Sequence, residues 1–274
     1  MPLIQLNLKH QPSPFQLFLS EFVGTAFLLL VGLSLVIFMF GVGSPMAELI
    51  PSVTHRRIIT GFLFGGWGAL ISLTNVGKVS GAHINPAVTM VFLLFNKIEA
   101  KSAGYYVLGQ LTGAIFGCLP LLAWGPMGES LSFGTTTPGA GYTTMMALLG
   151  EVITTFVMVS GLVLFVGFRH LRPYTPTIFP LMYAIMVPLE ASLSGTSTNP
   201  ARSFGPSVIS GIWNDWWIYW VGPFAGAFLA SLVLSRLAKG ITAAKLYHFD
   251  NQQDSLFRRK TQHVEEPAEK QLIS

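Results

Sequence analysis

Gly195-Thr196-Ser197-Thr198-Asn199-Pro200-Ala201-Arg202-Ser203 is a polar loop opening a short helix between two long apolar segments. Asn is a favoured N-cap, and Pro is favoured at the first helical position because its missing N–H would be unpaired there anyway. The Asn-Pro-Ala core therefore starts a helix. If the Asn oxygen caps a backbone N–H, the amide nitrogen keeps two donors aimed away from a helix start where the dipole is positive. Such an end attracts lone pairs and repels cations. An earlier stretch, Ser80-Gly81-Ala82-His83-Ile84-Asn85-Pro86-Ala87-Val88-Thr89, repeats the tripeptide after a similar small and polar run and before a similar apolar one.

Around these two stretches the composition is that of a membrane protein. The chain has 274 residues, 51% of them hydrophobic and 10% charged, against about 25% charged in a soluble domain. Its formal net charge of +4 is no sign of nucleic-acid binding, because the basic residues fall mostly in connecting segments and the C-terminal tail. A spanning helix needs about 20 apolar residues, and segment 15–40 meets this with Glu21 as its one charge. That segment is too long for a signal-peptide core and lacks a small-residue cleavage site after a basic start. A single cysteine, Cys118, excludes an intramolecular disulfide and a cysteine-based metal cluster.

Spans are predicted at 15–40, 58–76, 102–124, 144–168, 177–193 and 216–238. Between the second and third, and between the fifth and sixth, lie apolar segments 86–95 and 200–210, too short to cross alone. They are read as half-helices that enter and return. The order span, span, half-helix, span occurs twice, and residues repeat with it. Ser20-Glu21-Phe22-Val23-Gly24-Thr25 matches Gly150-Glu151-Val152-Ile153-Thr154-Thr155, and Gly109-Gln110-Leu111-Thr112-Gly113-Ala114 matches Gly222-Pro223-Phe224-Ala225-Gly226-Ala227. An odd number of spans per unit inverts the second unit relative to the first, so the half-helices approach from opposite faces and meet near the midplane. Backbone there must be buried in protein or line a wet cavity. The predicted fold class is an all-α membrane protein of six transmembrane helices and two re-entrant half-helices in an inverted repeat.

Three regions follow: an N-terminal segment 1–14, a six-span domain 15–240 with repeats at about 15–124 and 144–240, and a polar tail 241–274 expected to be disordered. Lys78, Lys97, Lys101, Arg169, Arg172 and the tail residues Lys245, Arg258, Arg259 and Lys260 mark one side as cytoplasmic, with both termini on it. Arg56 and Arg57, in the first loop of the opposite side, break the pattern.

Paired Asn-Pro-Ala half-helices in an inverted repeat, the second extended as Asn199-Pro200-Ala201-Arg202-Ser203-Phe204-Gly205, closely resemble the aquaporin or major intrinsic protein family over about 15–238. The resemblance implies a passive channel for water and small uncharged solutes (glycerol, urea, ammonia, hydrogen peroxide or neutral metalloid hydroxides) that excludes protons and ions. It makes Asn85 and Asn199 the midplane donors, and the backbone carbonyls of Gly81, Ala82, His83, Gly195, Thr196 and Ser197 an acceptor ladder. The lone His83 is read as packing within its loop. Glu21 and Glu151 would each accept backbone N–H groups of a re-entrant loop and so fix its half-helix; an unpartnered charge inside a span costs at least about 2.5 kcal/mol.

Arg202 resembles the arginine of the family's outer selectivity filter. Counting back from the motifs without gaps puts the other filter positions at Gly65, Val187 and Thr196, where narrow water-selective members carry a bulky aromatic and a His at the first two. That departure implies a wide filter, although Gly61 and Gly65 equally fit a small-residue helix contact. Ser203, where glycerol-conducting relatives carry Asp, points back towards water. Glu190 has no counterpart in the first unit and either faces the outer vestibule or sits at the interface. The rival function is a proton-coupled secondary transporter, which shares the inverted-repeat, broken-helix plan. No catalytic grouping, metal site or cofactor is expected. The partners implied are water, small neutral solutes, membrane lipid and further copies in a homotetramer, in the plasma membrane; no nucleic acid is among them. Gly109, Gly113 and Gly117 offer a small-residue face for contacts either between copies or within one.

Overall fold

The structure is a computed structural model that describes residues 12–241. The N-terminal segment before residue 12 and the basic tail residues Lys245, Arg258, Arg259 and Lys260 lie outside the described residues. The first span, α1 (Pro14–Phe40), opens on a reciprocal cap: Ser13 Oγ accepts Gln16 N–H at 3.2 Å while Gln16 Oε1 accepts Ser13 N–H at 2.7 Å, and Pro14 follows. After a short helix, α2 (Met46–Leu49), come α3 (Val53–Leu73), α4 (Asn75–Ser80) and the first half-helix, α5 (Pro86–Leu94). The third span is α6 (Ala100–Cys118), extended by a 3-10 segment Leu119–Trp124; α7 (Gly125–Glu129) lies in the loop beyond it. The second unit consists of α8 (Thr144–Gly167), α9 (Thr175–Glu190), the half-helix α10 (Pro200–Ser210) and α11 (Ile218–Val233).

The second span starts earlier than its apolar stretch. Ser52 caps α3 by accepting His55 N–H at 3.2 Å, so the polar first turn with His55, Arg56 and Arg57 is helical and invisible to a hydropathy reading. Arg56 then donates to Met39 O at 2.7 Å and stacks over the Phe40 ring at 5.1 Å. A cation on the last carbonyls of α1 interacts favourably with that helix end, which gives this basic residue a local role on the side where the charge pattern does not expect it. At its other end α3 stops at Thr74, whose Oγ1 accepts Gly77 N–H at 3.0 Å and starts α4.

Among the described residues three helices are long and apolar enough to cross a membrane alone: Pro14–Phe40, Ala100–Glu129 and Thr144–Gly167. The helices α9 and α11 have 16 residues each, about 24 Å at 1.5 Å per residue, less than the roughly 30 Å hydrocarbon core. They are flanked by 3-10 turns at Arg172–Tyr174 and Ser235–Gly240. Arg172 ties these two flanks together, donating to Val166 O at 2.7 Å and to Gly240 O.

Glycines set the helix packing. A Cβ on Gly109 of α6 would lie 2.5 Å from Phe18 O of α1, and Gly113 and Gly117 face the Phe22 and Ala26 carbonyls in the same way. This row is therefore spent inside the chain. In the second unit Gly222 and Gly226 of α11 sit against Glu151 and Val152 of α8, so the repeat extends to the close approach of its first and third spans. Large apolar side chains point outward instead: Leu181, Ile185 and Leu189 form a stripe along α9, one face of a helix at four-residue spacing, as a lipid-facing surface requires.

Candidate functional site

The half-helices α5 and α10 meet at their N-termini. Asn85 caps α5 by accepting Ala87 N–H at 2.9 Å, and Asn199 caps α10 by accepting Ala201 N–H at 3.0 Å and Arg202 N–H at 3.3 Å. Each amide nitrogen then reaches across: Asn85 Nδ2 donates to Thr198 O and Asn199 Nδ2 to Ile84 O, both at 2.9 Å. The caps are as the sequence suggested, but one of the two N–H donors on each Asn is spent holding the opposite loop. A single N–H per Asn remains outside these contacts.

The loops leading to the caps are forced into a conformation that neither helix nor strand uses. Positive φ occurs at Gly81, Ala82 and Ile84 before the first cap (+92°, +52°, +43°) and at Gly195, Thr196 and Thr198 before the second (+93°, +54°, +52°). For β-branched Ile84, Thr196 and Thr198 this is a strained state costing on the order of 1–3 kcal/mol each, held only where the surroundings over-determine it. The buried carboxylates supply that hold. Glu21 accepts His83 N–H at 3.0 Å and Ile84 N–H at 2.6 Å; Glu151 accepts Ser197 N–H and Thr198 N–H, both at 2.8 Å. Ser80 Oγ and Ser194 Oγ add one bond each, at 2.5 and 2.6 Å. The hydroxyls of Tyr106 and Tyr219 donate to Ser80 O and Ser194 O. Gln110 is an asymmetric support: it donates to Glu21 Oε2 at 2.7 Å and Thr89 Oγ1 at 2.9 Å, where the second unit has Pro223. His83 is buried, stacked on Phe92 at 4.6 Å and 3.2 Å from Thr89 Oγ1, a packed position within its loop.

Beyond the caps, Arg202 is buried and donates from Nη1 to Gly134 O at 2.6 Å. The loop between α7 and α8 thus folds inward, and Thr136 Oγ1 continues the contact to Ser203 Oγ at 2.6 Å, which in turn meets Ser197 Oγ at 2.6 Å. Nothing in the sequence of that loop marks this role beyond its lack of charge around Gly134.

A cavity runs past these groups, bordered by Asn85, Asn199, Ser197, His83 and Arg202 together with Phe64, Phe179 and Tyr183. Of the four residues counted as the filter, Gly65 and Arg202 border it; Val187 is half-buried on α9 and Thr196 is buried, and neither borders it. Gly65 does so edge-on: a Cβ there would meet Phe179 O at 2.6 Å, and Gly61 faces Tyr183 O directly. These two glycines let α3 and α9 touch backbone to backbone. The aromatic next in sequence, Phe64, faces the cavity, its ring lying over Gly32 of α1, where a Cβ would come within 2.7 Å of Cδ2. Gly65 thus leaves no open space of its own on α3, and aromatic side chains stand beside it on the same cavity. Phe64, next to Gly65 on α3, and Tyr183 and Phe179, one and two helical turns before Val187 on α9, carry the aromatic bulk on this cavity wall.

Glu190 is buried among the supports of the second loop, with 5% of its surface exposed, rather than in a vestibule. Its Oε1 contacts Ser194 Oγ, which donates to Glu151 Oε1. A hydroxyl has one proton to give, so the second contact is complete only when a carboxyl brings a proton of its own.

Six membrane helices in an inverted repeat, with two half-helix N-termini converging beside a cavity that carries a few polar groups on mostly apolar walls, define a membrane channel built for uncharged molecules. Residues 8–234 match the Major intrinsic protein family, and the chain belongs to it. It is similar to Aquaporin A of Dictyostelium discoideum, at 33% identity over 229 residues, 80% of this chain and 77% of the relative. It is also similar to the probable aquaporin TIP4-1 of Oryza sativa subsp. japonica, at 34% identity over 215 residues, 73% of this chain and 82% of the relative. In fold it resembles the aquaglyceroporin from Plasmodium falciparum, with a TM-score of 0.68 at 21% identity over 83% of this chain and 99% of that one. The chain is a passive channel for water and small uncharged solutes, and the proton-coupled carrier is not favoured. Members of the family are channels rather than enzymes.

Proposed function

We propose that the channel conducts water in single file as its principal permeant and admits other uncharged molecules only where they are as slender as water, ammonia or hydrogen peroxide. The observation that carries this reading is the meeting of an aromatic ring, Phe64, and a buried guanidinium, Arg202, on one cavity with the two capping asparagines. Selectivity in such pores reduces to diameter, lining hydrogen-bond groups and electrostatic barriers. Phe64 supplies the first. Arg202 and the single free N–H on Asn85 and on Asn199 supply the second, and the opposed helix N-termini with Arg202 supply the third. Glu21 and Glu151 act as loop supports, and the carbonyls of Gly81, Ala82, His83, Gly195 and Ser197 act as acceptors along the path.

Stopped-flow light scattering on proteoliposomes tests the reading. Water flux should have a low activation energy, should not saturate and should need no proton gradient, with urea and glycerol far slower. Glycerol flux equal to that of a wide pore would overturn the size argument, and gradient-driven accumulation would restore the carrier. We place the channel in the plasma membrane as a homotetramer with one pore per subunit and with both termini cytoplasmic, the side of Lys78, Lys97, Lys101, Arg169 and Arg172. Because Gly109, Gly113 and Gly117 are used within the chain, any contact between copies must come from outward-facing residues. Cross-linking in membranes, protease protection of a tagged C-terminus and imaging of a tagged chain check these three points.

A further inference from the structure

We infer that Tyr183 is a specificity-determining residue of the pore, forming a second narrowing beside the paired asparagines and supplying there the acceptor that their N–H groups lack. The inference rests on the channel reading above and adds to it a residue that neither half-helix provides.

The position follows from packing. Gly61 and Gly65 allow α9 to lie against α3 backbone to backbone, with Gly61 set on the Tyr183 carbonyl and Gly65 on that of Phe179. Phe179 and Tyr183 are one helical turn apart, so they share a face, and both border the cavity with Asn85, Asn199 and Arg202. The Tyr183 ring lies 6.3 Å from that of Phe64 at 30°, so two aromatic walls stand side by side. In the first unit the residue as far before Asn85 as Tyr183 is before Asn199 is Ala69, which also borders the cavity. The ring is therefore a departure from the repeat, on one side only.

Its hydroxyl is fixed. Thr198 Oγ1 gives its one proton to Ser197 O at 2.7 Å, so in the 2.6 Å contact between Tyr183 Oη and Thr198 Oγ1 the tyrosine is the donor. Met158 Sδ, at 3.3 Å, is the other acceptor within reach of the same proton. Thr198 in turn is held by Glu151, and its carbonyl by Asn85. The ring cannot swing aside without breaking that chain. With its proton committed, Tyr183 Oη offers lone pairs alone, while Asn85 and Asn199 offer donors alone. Water, which gives and accepts in one small volume, satisfies both, and a branched polyol or a planar diamide meets the ring first.

The test compares Tyr183→Val and Tyr183→Phe with the unchanged channel in proteoliposomes, measuring water, urea and glycerol permeability and the activation energy for water. Tyr183→Val should raise the urea-to-water and glycerol-to-water ratios about tenfold, the order of discrimination a pocket wall provides. Tyr183→Phe keeps the ring, so those ratios should hold while the activation energy for water rises. If Tyr183→Val conducts water with unchanged solute ratios, the narrowing is refuted; should that variant not assemble, an unchanged activation energy in Tyr183→Phe overturns the inference instead. An unchanged channel with no water flux at all would sink the channel reading, an outcome separate from either.

Discussion

Asn85 donates its side-chain amide to the carbonyl of Thr198 at 2.9 Å, and Asn199 repays the contact to Ile84 at the same distance. Each capping residue thus holds its own helix and the other repeat's loop, so the two halves of the molecule are closed on each other by the residues at the middle of the path. Replacing Asn85 with Ala removes a cap and a cross-loop bond, each worth about 1 kcal/mol. Asn199→Ala should destabilise more, because Asn199 Oδ1 caps two N–H groups. In a double-mutant cycle followed by thermal unfolding in detergent, the two changes should couple by at least about 0.5 kcal/mol, as groups in one network do. Additive losses would mean the two bonds do not support a shared junction.

Glu151→Gln should weaken the second loop. The new NH2 must face one of the Ser197 and Thr198 N–H groups now bonded to the carboxylate, leaving a buried donor unmatched at about 1–3 kcal/mol. Glu21→Gln has the same fault and a further one, since Gln110 Nε2 also donates to Glu21 Oε2. Both variants should lower the melting temperature and the water permeability together, Glu21→Gln the more so. Full water flux with intact stability in either would show that the strained φ values at Ile84 and Thr198 hold without the carboxylate.

Gly32→Ala tests how Phe64 is placed. The ring lies where a Cβ on residue 32 would stand, within 2.7 Å of Cδ2, so the added methyl must push the ring away from α1. Overpacking of this kind costs about 1–3 kcal/mol, and displacement towards the cavity should reduce water permeability with no change at any residue that borders it. Gly32→Ala together with Phe64→Leu should recover flux and widen the pore to urea. A flux unaffected by Gly32→Ala would place the ring elsewhere.

Much of the architecture is legible in the chain because its signals are local. An Asn-Pro pair fixes a helix start, a carboxylate inside an apolar span demands backbone donors, and an odd number of spans fixes inversion. The passage itself was less legible. Gly65 reads as open space in a residue count, yet its lack of a side chain serves contact with Phe179 O, and the neighbouring Phe64 takes the cavity. Tyr183 gives no signal either, because an aromatic on a membrane helix is ordinary until its hydroxyl partner, Thr198, is brought beside it by the fold. The loop that carries Gly134 to Arg202 is likewise silent, since its contribution is a backbone carbonyl.

Glu190 is explained by comparing the two repeats. In the first, Ser80 Oγ donates to Glu21 and lies 2.8 Å from Ser20 Oγ, whose one proton is shared between it and Val76 O at 2.6 Å. In the second, Gly150 stands where Ser20 does, and a Cβ there would lie 2.7 Å from Glu190 Oε1. The Glu190 carboxyl thus fills the place of the missing serine hydroxyl and can complete the Ser194 chain by giving it a proton. Glu190→Ala should leave Ser194 without that neighbour and open a small void, at a cost of about 1–2 kcal/mol. Gly150→Ser alone should be harmful, since the serine collides with the carboxyl. Combined with Glu190→Ala, the same Gly150→Ser change rebuilds the first-repeat arrangement and should recover part of the lost stability, limited by Leu193 Cδ2, which lies 2.8 Å from the new Cβ and must turn aside. Melting temperature and water permeability of the three variants decide the matter: a double variant no better than Glu190→Ala would show that Glu190 does more than stand in for Ser20.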